Sequence, residues 1–314
     1  MGKHHPEKSR RKAAARISSL SLSVALLSLC TAQGAAAADP DSLDTRLDRK
    51  IVIHRLTPRN FAVAAGAPAW VLTLSADVNA NYESNALNTP TDPIGVLSTD
   101  PTLGLSLKYD NGSSVFALSG SADFARADNH SSDYDYNAFT LGSSWTVTAD
   151  AAKLGGFEPT FSYRYVGVYD SSFDQLQLGF HRLSEDFSGE LYTTDSDTVT
   201  LTISPDYRIA SVAEANREDL DTSLEYDRKF ADDWSLTVIG DFMATWYRSG
   251  ANNGRDDIVL TFSAELDKKI SDNWSVGVAA QYFNSSSNRA AAKFDGWIVG
   301  PKLSYSFDKS LAAK

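Results

Sequence analysis

From Trp70 onward, apolar and polar residues alternate in segments of about ten to fifteen residues, the period that puts one side of a strand on lipid and the other on a lumen. Trp70, Leu72, Leu74, Ala76, Val78, Ala80 and Tyr82 form one row of the first segment, and Thr73, Ser75, Asp77, Asn79 and Asn81 form the other. A polar row of that kind is costly in a packed protein core. The apolar row returns as Leu103, Leu105, Leu107 and Tyr109, then Phe116, Leu118, Gly120, Ala122 and Phe124, then Phe139, Leu141 and Trp145. Phe157, Pro159, Phe161, Tyr163 and Tyr165 mark a fifth segment, Leu176, Leu178 and Phe180 a sixth, and Val199, Leu201 and Ile203 a seventh. Five more carry Leu220, Leu224 and Tyr226; Trp234, Leu236, Val238, Phe242 and Trp246; Ile258, Leu260, Phe262 and Leu266; Trp274, Val276, Val278, Ala280 and Tyr282; and Trp297, Val299, Leu303, Tyr305 and Phe307.

These segments predict an all-β chain, a transmembrane antiparallel up-and-down β-barrel of about 12 strands, with ten or fourteen as the alternatives if the seventh segment is miscounted. Past residue 40 no run of ~18 apolar residues occurs, which excludes a helical membrane protein. Trp70, Tyr82, Trp234, Trp246, Trp274, Tyr282, Trp297 and Phe307 stand near the ends of the apolar rows, where interfacial girdles sit. A soluble β-sandwich also alternates, but its strands usually run to only about five or six residues.

The turns set the parity. Asp227-Arg228-Lys229-Phe230-Ala231-Asp232-Asp233-Trp234 recurs as Asp267-Lys268-Lys269-Ile270-Ser271-Asp272-Asn273-Trp274, forty residues on, which is the length of two strands, a short turn and a longer loop. Asp110-Asn111-Gly112 is a two-residue hairpin signal of the same parity, so short turns follow even-numbered strands. With those turns and both termini in the periplasm, the connections at 84–100, 126–133, 209–216, 249–255 and 286–292 face outward. Two periplasmic connections, 150–156 and 185–195, are longer than this rule favours.

Ahead of the barrel, Lys8, Arg10, Arg11, Lys12 and Arg16 precede an apolar stretch from Ile17 to Cys30, and small residues at 35–38 offer a cleavage site. Residues 1–38 therefore read as a signal peptide, 39–68 as a periplasmic segment, 69–308 as the barrel and 309–314 as a tail. Ile51-Val52-Ile53 within the periplasmic segment reads equally as a short strand, a plug or a tether. Losing the signal removes six basic residues and one acid and takes the formal net charge from −11 to −16, against nucleic-acid binding. Cys30 leaves with it, so no thiol chemistry is expected.

Asn81-Tyr82-Glu83-Ser84-Asn85-Ala86 resembles the Y-[DE]-S-N opening motif of outer-membrane barrels associated with surface export and exopolysaccharide assembly, including porin families of Gram-negative bacteria. That resemblance implies an outer-membrane location and a role in assembly or export. Leu303, Tyr305 and Phe307 resemble the aromatic last strand that the barrel-assembly machinery recognises, although Phe307 is followed by seven residues.

Function is sought on the inward row, where Asp77, Asn79, Asp123, Glu225, Asp241 and Glu265 face Arg164, His181 and Lys302. Acids outnumber bases, so the expected activity is a porin-like channel for small hydrophilic solutes or cations. A non-enzymatic component of a surface or exopolysaccharide assembly system is the second reading. The third, a lipid-modifying hydrolase, would draw on Asp128-Asn129-His130-Ser131-Ser132-Asp133, but adjacent residues in a polar loop rarely hold triad geometry. No catalytic residue, no cofactor and no metal-ligand spacing is expected. The expected partners are outer-membrane lipid and lipopolysaccharide, the barrel-assembly machinery and the small solutes or cations themselves.

Overall fold

A computed structural model describes residues 69–86, 88–91, 93–128, 134–230 and 233–311. The expected signal peptide, the 39–68 segment with Ile51-Val52-Ile53 and His54, and His130 lie outside the described residues. Twelve strands run in chain order: β1 (Ala69–Glu83), β2 (Val96–Asp110), β3 (Ser114–Ala127), β4 (Tyr136–Val147), β5 (Phe157–Tyr169), β6 (Leu176–Thr193), β7 (Asp197–Ala210), β8 (Arg217–Lys229), β9 (Trp234–Tyr247), β10 (Asp256–Lys269), β11 (Trp274–Ser287) and β12 (Phe294–Leu311). Each pairs antiparallel with its neighbours, and β1 pairs with β12, so the sheet closes into a barrel with no free edge. Closure satisfies every strand's backbone groups without water, which is what a sheet in lipid requires. Among the described residues no helix is long and apolar enough to cross a membrane.

Strand seven, on which the count of twelve hinged, is a full strand of 14 residues. The short turns follow even strands as the parity argument requires. In the β2–β3 turn Gly112 takes φ +87°, Asp110 Oδ1 accepts its N–H at 2.8 Å, and Asn111 Oδ1 accepts Ser114 N–H at 2.8 Å. The two copies of the sequence repeat make the same turn bond, Phe230 N–H to Trp234 O at 2.8 Å and Ile270 N–H to Trp274 O at 2.9 Å.

Three expectations need correction. The long 185–195 connection does not exist: β6 continues to Thr193 against β7, leaving a turn of only 194–196, because backbone groups at membrane depth must stay paired. Likewise 309–311, expected as tail, pair with β1, Leu72 facing Lys309 and Trp70 facing Leu311, and so complete the seam where β1 begins. The third concerns the faces of β6. A register shift near Val168 and Tyr169 skips Gln177, so Leu176 points outward while Leu178 and Phe180 turn inward and are buried. The apolar row of strand six therefore lies mostly on the lumen side.

Outside, Leu74, Leu103, Leu105, Leu141, Leu224, Phe262, Val278 and Leu303 make an exposed apolar belt far too continuous for a soluble surface. Aromatic pairs edge it. At the end carrying the short turns, Trp70 meets Tyr109 at 4.8 Å and Trp274 meets Tyr305 at 4.9 Å; at the loop end, Tyr82 meets Trp297 at 5.0 Å. Trp234, Trp246, Tyr282 and Phe307 also share the parity of the outer rows.

Candidate functional site

The inward face is mostly polar, and its burial varies along and around the barrel. At the turn end, Lys108, Ser144, Asp186, Thr200 and Glu225 are half-buried. From mid-strand toward the loop end, and on β10 beyond it, every strand has buried inward side chains, among them Asp77, Asp100, Ala125, Ala138, Val168, Phe180, Arg208, Asp219, Asp241, Glu265, Gln281 and Lys302. Burial also reaches the turn end on β1, at Val71 and Thr73, and on β10, at Asp267, so the half-buried stretch of inner wall at that end lies mainly on β3–β8.

Some of that filling is apolar. Ala125, Tyr136, Ala138, Val166, Val168, Leu178 and Phe180, from the inner wall of β3–β6, form one buried cluster with Ala86, Tyr134 and Ala215 from the connections. A smaller one, Phe283, Phe294 and Ile298, lies on β11 and β12.

The rest is charged and ordered by strand register. Arg164 is the partner of Arg182, Arg182 of Arg208, and Arg208 of Arg217, so four arginines form one rung across β5–β8. With strands about 4.8 Å apart, three such steps cover about 14 Å of wall. Like charges directly opposite one another destabilise a sheet, so the rung needs compensation. Carboxylates on the same face, two positions further along β7 and β8, supply some of it. Asp206 and Asp219 are strand partners of each other, Arg182 bonds Asp206 Oδ2, and Arg217 Nε donates to Asp219 Oδ2 at 2.9 Å. Thr245 Oγ1 adds a bond to Asp219 at 2.6 Å. Arg208 lies 4.2 Å over the Phe180 ring, and Arg255 lies 4.6 Å over Tyr247 while bonding Asp257 through Nε at 3.0 Å and Nη2 at 2.6 Å. Elsewhere around the inner wall, Asp77 on β1, Asp100 on β2 and Glu265 with Asp267 on β10 add further buried acids, and Lys302 bonds Glu265.

Of the residues expected on the lumen, Asp77, Asn79, Asp241, Glu265 and Lys302 are inward and buried. Asp123 and Arg164 share that face half-buried, Asp123 accepting from Thr102 Oγ1 at 2.8 Å, and so does Glu225. His181 does not. It is exposed on the outer wall, 2.7 Å from Tyr163 Oη through Nδ1 and packed beside Tyr165, because the bulge in β6 reverses the phase and gives the lumen position to Arg182. Sequence reasoning also passed over Arg208, Arg217, Arg255 and their carboxylates, although a signal was present. Asp206-Tyr207-Arg208 ends β7, whereas Arg217-Glu218-Asp219 and Arg255-Asp256-Asp257 open β8 and β10. The order reverses because β7 runs toward the loop end and the other two away from it, so all three place arginine outermost.

No family model matches the chain, and no curated protein does. Among solved structures it is similar to a KdgM porin in complex with disordered oligogalacturonate, at 16% identity over 74% of this chain and 99% of that one, with a TM-score of 0.43. It is also similar to an outer-membrane channel from Pseudomonas putida F1, at 9% identity over 80% and 99% with a TM-score of 0.47, and to an anion-selective porin from Comamonas acidovorans, at 7% over 76% and 100% with 0.40. The closed antiparallel sheet of twelve strands, with an apolar belt outside and a mostly polar wall within, is the architecture of a transmembrane β-barrel.

Proposed function

We propose that the barrel is a narrow channel for small hydrophilic solutes with a preference for cations. The observation that carries this reading is the inward face itself. Charged and hydroxyl side chains line it on every side, with Asp77, Asp100, Asp123, Asp206, Asp219, Asp221, Glu225, Asp241, Asp257, Glu265 and Asp267 against Lys108, Arg164, Arg182, Arg208, Arg217, Arg255 and Lys302. A wall serving only as a scaffold would be more stable if apolar, since each buried charge carries a desolvation cost that its partner at best offsets. An excess of fixed negative charge around a narrow path raises the local cation concentration.

The test is the reversal potential of the refolded barrel in a planar bilayer under a salt gradient. Asp241→Asn together with Glu265→Gln is expected to lower the cation-over-anion permeability ratio by roughly five- to thirty-fold for each charge removed, because a unit charge about 4–8 Å from a passing ion attracts a cation and repels an anion by about 0.5–1 kcal/mol each in a water-like dielectric. An unchanged ratio removes these two residues from the path, and an anion-selective wild-type current overturns the preference.

A further inference from the structure

The buried inner wall at the loop end includes a side chain that no strand supplies. Tyr134 belongs to the β3–β4 connection, yet it is only 3% exposed and packs with Ala86, Val96, Ala125 and Tyr136. Its hydroxyl donates to Glu83 Oε2 at 3.1 Å and lies 3.4 Å from Ser98 Oγ. Both acceptors are inward residues at the loop ends of β1 and β2, so the ring reaches inward past β2 to the wall of β1. A buried tyrosine needs its hydroxyl satisfied, and a carboxylate is a strong acceptor for it.

The connections on the other side are braced to one another instead. Ser249 Oγ donates to Ala213 O at 2.6 Å, Asn252 Nδ2 to Glu214 O at 3.1 Å, and Arg289 Nη1 to Ala251 O at 2.7 Å. Gly250, at φ +63°, lets the β9–β10 connection lie against the backbone of Glu214, which a side chain would bar. These three connections form a crown over β7–β12. Opposite the crown, Tyr134 takes up the space inside the β1–β4 rim.

We propose that Tyr134 sets the width of the lumen at its loop end and so limits the passage of solutes through the barrel. This rests on the channel reading, and the experiment separates the two. Single-channel current is measured for the refolded wild-type barrel and for Tyr134→Ala, Tyr134→Phe and Tyr163→Ala, the last removing a tyrosine from the outer wall. Heat-modifiable gel mobility checks each fold. Tyr134→Ala is expected to raise the conductance about two-fold or more, since in a narrow pore the tightest segment dominates the resistance. Tyr134→Phe, which keeps the ring, and Tyr163→Ala are expected to stay near wild type. A conducting wild type with Tyr134→Ala steps of the same size overturns the assignment and leaves the channel reading standing. Silence of both folded proteins overturns the channel reading and this assignment with it. Should Tyr134→Ala not fold, Tyr134→Leu keeps apolar packing without reaching Glu83, and the same outcomes apply to it.

Discussion

Replacing Gly300 by valine is expected to prevent the barrel from closing, with little or no heat-modifiable folded protein after refolding into lipid vesicles. Gly300 lies in β12 at the seam with β1. The seam pairs Asn79 with Lys302 and Tyr82 with Val299, and between those pairs lies Pro301, which has no N–H to donate. A Cβ on Gly300 would overlap the carbonyl oxygen of Ala80 and would lie 2.9 Å from that carbonyl carbon. The obstruction is backbone, so no side chain can rotate to relieve it, and the only relief is to part the two strands. Parting them exposes unpaired backbone groups in lipid, each of which costs several kcal/mol. The loss should exceed about 4 kcal/mol, the range reserved for changes that break a fold. Gly240→Ala on β9 is the control, because a Cβ there meets Phe262 Cε1 at an ordinary 3.6 Å. Folded protein in normal yield from the Gly300 variant would show that the seam can widen, contrary to this account.

The second large effect is expected from the arginine rung. Asp206→Ala removes the carboxylate that Arg182 bonds, and both side chains are nearly or wholly buried. Arg182 would be left between its strand partners Arg164 and Arg208, with like charges on either side. Removing one member of a buried pair costs about 3–5 kcal/mol, mostly through the charge left behind. Urea titration of the barrel in vesicles should show that loss for Asp206→Ala and should recover most of it in Arg182→Met combined with Asp206→Leu, where an apolar pair replaces the ionic one. A cost below about 1 kcal/mol for the single change would mean that solvent, rather than Asp206, compensates Arg182.

Period two was strong enough in this chain to specify most of the barrel. The rows from Trp70 to Tyr82 and from Trp274 to Tyr282 face outward as expected, and the paired Asp-Asp-Trp and Asp-Asn-Trp turns set the parity that makes twelve the natural count. Besides the end of β12, the structure departs from that pattern at β6. Leu176, Leu178 and Phe180 look like one lipid-facing row, but alternation records only that two faces differ, and one skipped residue exchanges them. His181 was assigned to the lumen by the same slip.

The sequence by itself determined the barrel class, most of the turn positions and the acid excess of the inner wall, because those follow from side-chain period, turn chemistry and charge, all local along the chain. Tertiary structure alone decided which charges meet. Arg164, Arg182, Arg208 and Arg217 are far apart in sequence and become neighbours only through hydrogen-bond register, and Tyr134 meets Glu83, 51 residues before it, only in the folded barrel. Register is set by closing the whole sheet on itself, a condition that no single segment carries.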